Sequence, residues 1–377
     1  MSQFSVPCAV YRGGTSRGLF FNANDLPENR QEMERIFLNG IDSYNLSQVN
    51  GLGSGTSHTS KVVVIAPSSV DEADIDYTFY QIGIGVEIVD DKGTCGNLMA
   101  AVGAFAVDEE MIKAADTDEV IVNAFNTNIE KIIRIKVPVV DRQAKVTGDY
   151  VMSGIQLPGA KYSVDILSPG GGKTGSTLPL GATYELVGKE NRFNVSVVDV
   201  VNPFVYLSTE SVGLAAEQLF TDLSQEVELI DLLESTRREI SYRTGLTNSL
   251  EEAAGAPAIP KIAIVSSPHD YVTASGESIK KEEVDIIAKM VSMGRFHRTF
   301  AGSGLYNLAA AVLLPGTIPN NCSGIKDTKA ERVIRIGHPD GIAEVKVKVK
   351  ADGKDVEYVG LERTARRIMK GNLYIAK

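Results

Sequence analysis

Short runs of β-branched and aromatic residues, bounded by Gly, Pro, Asn or Asp, recur along the chain. They predict strands at 61–65, 77–82, 86–89, 120–124, 131–140, 194–201, 261–266, 333–336 and 343–349. Apolar residues at helical spacing predict helices at 29–38, 97–107, 214–220, 224–244, 281–290 and 304–314, the last stopped by Pro315-Gly316. Strands outnumber helices and do not alternate with them strictly. The expected class is α+β, with few central helices wrapped by much sheet. A short repeat adds to this, because Asn97-Leu98-Met99-Ala100-Ala101-Val102 returns as Asn307-Leu308-Ala309-Ala310-Ala311-Val312. Each copy follows a glycine-rich turn, which suggests two related halves.

Length agrees, since 377 residues exceed one typical core. The expected division lies in the polar passage at 180–190, giving a first domain of residues 1–185 and a second of 186–364. A formal charge of −10 argues against a general nucleic-acid partner, which needs basic faces. It leaves an anionic small molecule open. Three widely spaced cysteines (Cys8, Cys95, Cys322) fit a reducing compartment better than a disulfide framework. The first residues carry neither a basic segment nor an apolar run, and no uncharged apolar stretch approaches the ~18 residues of a membrane span. A cytoplasmic protein with no membrane partner is expected, and a homodimer is compatible with this reading.

Cys95 is the first candidate for chemistry. It stands in Gly93-Thr94-Cys95-Gly96-Asn97, just before the helix expected at 97–107. A helix N-terminus favours a thiolate and binds carboxylates, while the plain alternative is a buried free cysteine in a tight turn. Tyr11-Arg12-Gly13-Gly14-Thr15-Ser16-Arg17-Gly18 joins arginines, hydroxyls and glycines, as a carboxylate-gripping loop would, though a hairpin with exposed arginines has the same composition. Gly51–Lys61 feeds Lys61 into a buried strand, where desolvation would make its amine a usable base, unless it lies at an edge and snorkels to water. Asn202-Pro203-Phe204 breaks a strand, and Arg295–Gly304 sets cationic groups before the second alanine-rich helix. Ser168-Pro169-Gly170-Gly171-Gly172-Lys173-Thr174 lacks the first glycine of a nucleotide loop and starts no helix. The four histidines (His58, His269, His297, His338) are scattered and no Cys-x-x-Cys exists, so a structural zinc site is not expected.

Together, Arg12–Gly18, Thr59-Ser60-Lys61-Val62, Cys95-Gly96-Asn97, Val201-Asn202-Pro203, Ala301-Gly302-Ser303-Gly304 and Arg363-Thr364-Ala365-Arg366-Arg367 resemble a family of isomerases. That family contains 2-methylaconitate isomerase, methylitaconate Δ-isomerase and oxalomesaconate tautomerase. The resemblance implies a diaminopimelate epimerase-like fold, with two pseudo-symmetric, sheet-rich barrel domains each around a central helix and the site in the cleft between them. Residues 365–377 are then expected to return to the first domain. Epimerases of this fold use two cysteines. Here the second position falls on Ala301 in one register and Leu305 in another, so a two-cysteine racemase is disfavoured.

Lys61 falls on the family's catalytic lysine, and the resemblance gives Lys61 and Cys95 as the proton carriers. It gives Thr15, Ser16, Arg17, Ser57, Gly96, Asn97, Asn202, Arg298, Gly302 and Ser303 as the residues that position the substrate. The implied reaction is a proton and double-bond shift in a small anionic polycarboxylate such as 2-methylaconitate or aconitate, with no metal or organic cofactor. A 4-oxalomesaconate-type keto–enol tautomerase and a non-catalytic carboxylate-binding protein of the same fold are the alternatives.

Overall fold

The computed structural model describes residues 2–114, 117–152, 154–187, 192–221, 223, 225–292, 295–297, 300 and 302–377. The chain forms two units. The first comprises Met1–Leu167 with Glu362–Lys377, and the second Ser168–Leu361. The division therefore falls at Leu167, where the sequence suggested 185, and the returning segment starts at Glu362 where 365 was expected. Hydrogen bonds account for the difference. Ser168 N–H donates to Glu357 O at 2.8 Å, Gly171 N–H to Asp199 O at 2.8 Å, and the N–H groups of Lys173 and Thr174 to Asp199 Oδ2 at 2.8 and 2.7 Å. The glycine-rich passage is thus fastened to the second unit, and a carboxylate of the chain itself already occupies its N–H groups.

The first unit begins with the strands β1 (Gln3–Gly13) and β2 (Ser16–Asn22), then α1 (Arg30–Ile41), β3 (Lys61–Pro67) and β4 (Ile75–Ile82). It continues through α2 (Met99–Asp108), β5 (Glu119–Asn126), β6 (Lys131–Val140) and β7 (Tyr162–Leu167). In the second unit the same plan recurs as β8 (Arg192–Val200), β9 (Asn202–Ser208), α3 (Val227–Arg243), β10 (Lys261–Ser266) and β11 (Ile286–Ser292). The helix α4 (Gly302–Leu313) and the strands β12 (Arg332–His338), β13 (Gly341–Val349) and β14 (Val356–Arg363) complete it. A final strand, β15 (Ala365–Ala376), pairs antiparallel with β1.

The pairing pattern repeats, and at the first parallel step the register repeats with it. β1–β2, β3–β4 and β5–β6 pair antiparallel while β2–β3 and β4–β5 pair parallel. β8–β9, β10–β11 and β12–β13 pair antiparallel while β9–β10 and β11–β12 pair parallel. Val62 sits beside Leu19, the fourth residue of its strand, and Ile262 beside Val205, again the fourth. Each parallel step needs a crossover, and α1 and α3 supply the first of these in each unit.

A helix that is apolar all round must be buried, and both central helices are. In α2 every residue from Met99 to Val107 is buried, and the helix touches β1, β3, β5, β6, β7 and β15. In α4 every residue from Gly304 to Leu313 is buried against β8, β9, β12 and β13. Phe37, Ile36 and Ile41 of α1 pack on the outer side with Leu19, Phe21 and Val62, closing the first core. Among the described residues no helix is long and apolar enough to cross a membrane.

Several expected elements differ. The helix expected at 281–290 is a 3-10 turn, Lys281–Glu283, followed by β11. Its apolar spacing yields to pairing on both edges, with β10 and β12, and β-branched Ile286, Ile287 and Val291 suit that place. The helix expected at 214–220 is a 3-10 turn, Ala216–Phe220, and the strand expected at 86–89 shrinks to Val89–Asp90.

Candidate active site

Lys61 is the first residue of β3 and is only 8% exposed. Its neighbours fix it there. Its register partner on β4 is Gln81, whose Oε1 accepts from Lys61 Nζ at 2.6 Å. The ammonium also lies 5.0 Å from the centre of the Phe79 ring. Burial lowers the lysine's proton affinity, and the charge of Cys95 opposes that effect in part. The sheet-edge alternative fails, since Lys61 is flanked by β2 and β4 and does not snorkel.

The approach to Lys61 is an ordered loop. Gln48 Oε1 accepts from Gly55 N–H at 2.8 Å and Ser60 Oγ at 2.9 Å, while Arg17 N–H donates to His58 O at 2.9 Å. Ser57 and His58 are exposed on this loop, and Ser57 O accepts from Gln81 Nε2 at 3.3 Å.

Cys95 is half-buried and precedes α2 by one turn, in which Leu98 N–H donates to Cys95 O at 3.1 Å. The helix starts at Met99 where 97 was expected. The turn between β5 and β6 holds the segment before the cysteine. Asn126 Nδ2 donates to Thr94 Oγ1 at 2.6 Å, and Asn128 Nδ2 to Asp91 O at 2.7 Å. The thiol donates to Ser16 Oγ at 3.8 Å. Ser16 is buried at the start of β2, and Thr15, exposed in the hairpin before it, accepts from Asn97 Nδ2 at 3.1 Å. Gly14 makes this closeness feasible: its φ is +51°, and a Cβ there would stand 2.4 Å from Asn97 Oδ1. Burial pushes the Cys8 thiol up to about 12 and the Cys322 thiol up to about 11.

The two arginines of the hairpin have separate tasks. Arg12 Nη1 donates to Thr364 O and to Thr364 Oγ1, both at 2.6 Å, so it fastens the hairpin to the returning segment. Arg17 is half-buried and donates through Nη2 to Leu52 O at 3.0 Å.

The structure thus gathers Thr15, Ser16, Arg17, Ser57, Lys61, Cys95, Gly96 and Asn97 within the first unit. Asn202, Gly302 and Ser303 belong to the second. There Gly302 and Ser303 open α4, whose first turn packs on β9 through Gly304 against Phe204. Asn202 is half-buried, and its carbonyl accepts from Asn307 Nδ2 at 2.7 Å. Arg298 and Ala301 lie outside the described residues. Among the described residues no group of three or more His, Cys, Asp or Glu could hold a metal ion. Sequence reasoning missed Gln81, Asn126 and Asn128. Their roles depend on strand register and a turn contact, for which the sequence carries no local signal.

The fold thus places Lys61, a buried lysine of lowered proton affinity, and Cys95, one turn before a central helix, in the same unit. The chain belongs to the PrpF protein family, whose model matches residues 3–376. It is 36% identical to a 3-methylitaconate isomerase of Eubacterium barkeri, covering 100% of this chain and 98% of that one. It is 32% identical to a 2-methyl-aconitate isomerase of Shewanella oneidensis, again covering 100% and 98%. The crystal structure of a methylitaconate-delta-isomerase superposes with a TM-score of 0.93 at 36% identity, covering 100% of this chain and 97% of the other.

Proposed function

We propose that the protein is a cofactor-independent isomerase that moves a proton, and with it a double bond, in a small unsaturated di- or tricarboxylate such as 2-methylaconitate or aconitate. The single observation that carries this reading is Lys61, a desolvated amine on which the charge of Cys95 acts. A C–H bond adjacent to a conjugated carboxylate is acidic enough for such a pair. One group takes the proton, the electron pair spreads through the conjugated system into the carboxylate, and the other group returns a proton. No electron is gained or lost and no group leaves, so one base and one acid suffice.

Thr15, Ser16, Arg17, Ser57, Gly96 and Asn97 are proposed to hold the carboxylates from the first unit, with Asn202, Arg298, Gly302 and Ser303 contributing from the second. Oxygen and nitrogen donors fixed at the developing enolate stabilise the transition state more than the substrate. The proposed setting is a cytoplasmic homodimer, which the three free cysteines suit and sedimentation would check.

The test is a screen of aconitates, methylaconitate, methylitaconate and oxalomesaconate, read by ultraviolet absorbance of the conjugated alkene and by deuterium uptake from solvent. Lys61→Ala and Cys95→Ala should each lower turnover by about 10²–10⁴-fold. Undiminished activity in both variants would sink the mechanism. The absence of exchange with every acid would favour a binding protein.

A further inference from the structure

Lys61 meets an amide where a carboxylate would be the ordinary partner. Gln81 lies opposite it across the antiparallel β3–β4 pair, and its carbonyl accepts from Lys61 Nζ at 2.6 Å. The other end of the same amide donates to Ser60 O at 2.8 Å and to Ser57 O at 3.3 Å. Two carbonyls around Nε2 fix which way the amide faces, so Oε1 must point at the amine. Glutamate could not satisfy both ends, because an ionised carboxylate has acceptors only, and its second oxygen would confront Ser57 O and Ser60 O. It would also add a negative charge to the lysine. A neutral carbonyl orients the amine without that charge.

We propose that Gln81 is a positioning residue that aims the Lys61 amine through a neutral acceptor, leaving it free to gain and lose a proton, where a carboxylate would lock it as ammonium. The inference rests on the isomerase reading for its purpose, but its geometry is independent of any substrate. The charged and titratable groups on the elements around Lys61 agree with it. On β2, Arg17 turns its guanidinium to Leu52 O. On the strand beside β4, Asp90 pairs with Gln81 in register, and its Oδ1 accepts from Lys92 N–H at 2.9 Å. On the loop before β3, His58 is exposed. At the head of α2 stands Cys95, the titratable group whose charge acts on the lysine. Gln81 therefore occupies the place at which one added negative charge would have most effect.

The experiment titrates Lys61 directly in the full chain labelled with [6-¹³C]lysine, its resonance assigned by its loss in Lys61→Met. An opposite charge in contact moves a pKa by about 1–3 units, so Gln81→Glu should raise the Lys61 midpoint by at least about one unit. Gln81→Met, which keeps length and removes the acceptor, should lower the midpoint and serves if the glutamate variant folds poorly. Activity gives a second readout: in Gln81→Glu the limb of the kcat/KM profile assigned to Lys61 should move to higher pH by the same amount, and in Gln81→Met kcat should fall more than KM rises. A Lys61 midpoint unchanged in both folded variants overturns the proposal. Shifted midpoints in a protein that isomerises none of the acids would support the Gln81 role and overturn the isomerase reading instead.

Discussion

Lys61 and Lys261 hold the same place in their respective units. Each is the first residue of the third strand of a shared plan, and each is followed by a residue that pairs in parallel with the fourth position of the strand before. Both amines have their proton affinity lowered by burial. What surrounds them differs in a compensating way. In the first unit the third position of the neighbouring strand is Gly18, where a Cβ would stand 2.9 Å from Lys61 O and 3.2 Å from Leu98 Cδ1. In the second unit it is Phe204, fully buried and stacked on Phe300, and the glycine has moved to the helix as Gly304. The duplicated backbone is thus filled from the strand in one unit and from the helix side in the other.

The hairpin that presents Thr15 and Ser16 depends on Gly14. An added methyl there meets Asn97 Oδ1 and requires an alanine at φ +51°. Gly14→Ala should cost about 1–2 kcal/mol of stability from the left-handed backbone alone. It should also push Asn97 away from Thr15. If Asn97 and Thr15 hold a substrate carboxylate, KM rises at least about tenfold, since one lost hydrogen bond to a charged group is worth about 1.5–3 kcal/mol. Urea unfolding and steady-state kinetics check the two parts separately.

The turn between β8 and β9 is strained. Val201 has φ +64°, a region that β-branched residues avoid, and its N–H donates to Pro169 O at 3.0 Å. Such strain persists only where neighbours impose it, and it clusters at functional sites. Relief of about 1–2 kcal/mol is offset by the greater freedom of glycine in the unfolded chain, about 0.4–1 kcal/mol. Val201→Gly should therefore leave stability unchanged or raise it by up to about 1.6 kcal/mol, and Val201→Ile should bring no gain. A clear loss in the glycine variant, seen in thermal unfolding, would show that the valine side chain contributes more by packing than the strain costs.

How much of this was readable in the chain follows from range. The central helices were legible, because an alanine-rich apolar run between glycine-rich turns is a local signal, but the repeat is out of step with the fold, since Asn97 precedes α2 and Asn307 lies inside α4. The strands 3–13 and 365–376 were not, since their residues alternate poorly and they pair with each other across more than 300 residues. The position of Cys95 before a helix could be read locally. The hydrogen bonds that set it, from Asn126 and Asn128, could not. Lys61 was ambiguous between a buried base and a snorkelling edge until β2 and β4 were seen on either side of it. Arg12 misled, because a clamp for a ligand and a clamp for a backbone carbonyl use the same guanidinium.

Asn307 is the keystone of the strained turn. It is fully buried, and its Nδ2 serves Val198 O at 2.8 Å, Val200 O at 3.1 Å and Asn202 O at 2.7 Å, while Oδ1 accepts from Tyr206 Oη at 2.7 Å. Tyr206 is itself fully buried and its hydroxyl is held protonated by that burial, so it always donates. Asn307→Leu keeps the branched shape and leaves these buried groups without their partner. With about 1–3 kcal/mol for each group left unsatisfied, the loss should reach at least about 3 kcal/mol. It should exceed the effect of Tyr206→Phe, which removes one bond and leaves one acceptor, by a factor of about two or more. Denaturation of both variants against the parent decides this, and equal losses would mean that the turn does not depend on the Asn307 amide.

His338 ends β12 and is buried, and desolvation lowers its pKa from 6.5 to about 4, with Asp340 opposing weakly. Its Nδ1 accepts from Asp340 N–H at 3.2 Å, which requires the neutral ring. The folded state therefore binds the proton less readily than the unfolded chain. Above pH 6.5 both states are neutral and the histidine contributes no pH dependence. As pH falls from 6.5 towards 4, the unfolded chain takes up a proton that the folded chain refuses, and stability drops. At about 1.4 kcal/mol per unit, the full loss approaches roughly 3 kcal/mol near pH 4. His338→Gln, which keeps an acceptor and cannot be protonated, should remove this part of the slope. Urea midpoints for the two proteins should diverge as pH falls from 7 to 5, the variant holding its stability while the parent weakens. Parallel curves would place the acid sensitivity elsewhere.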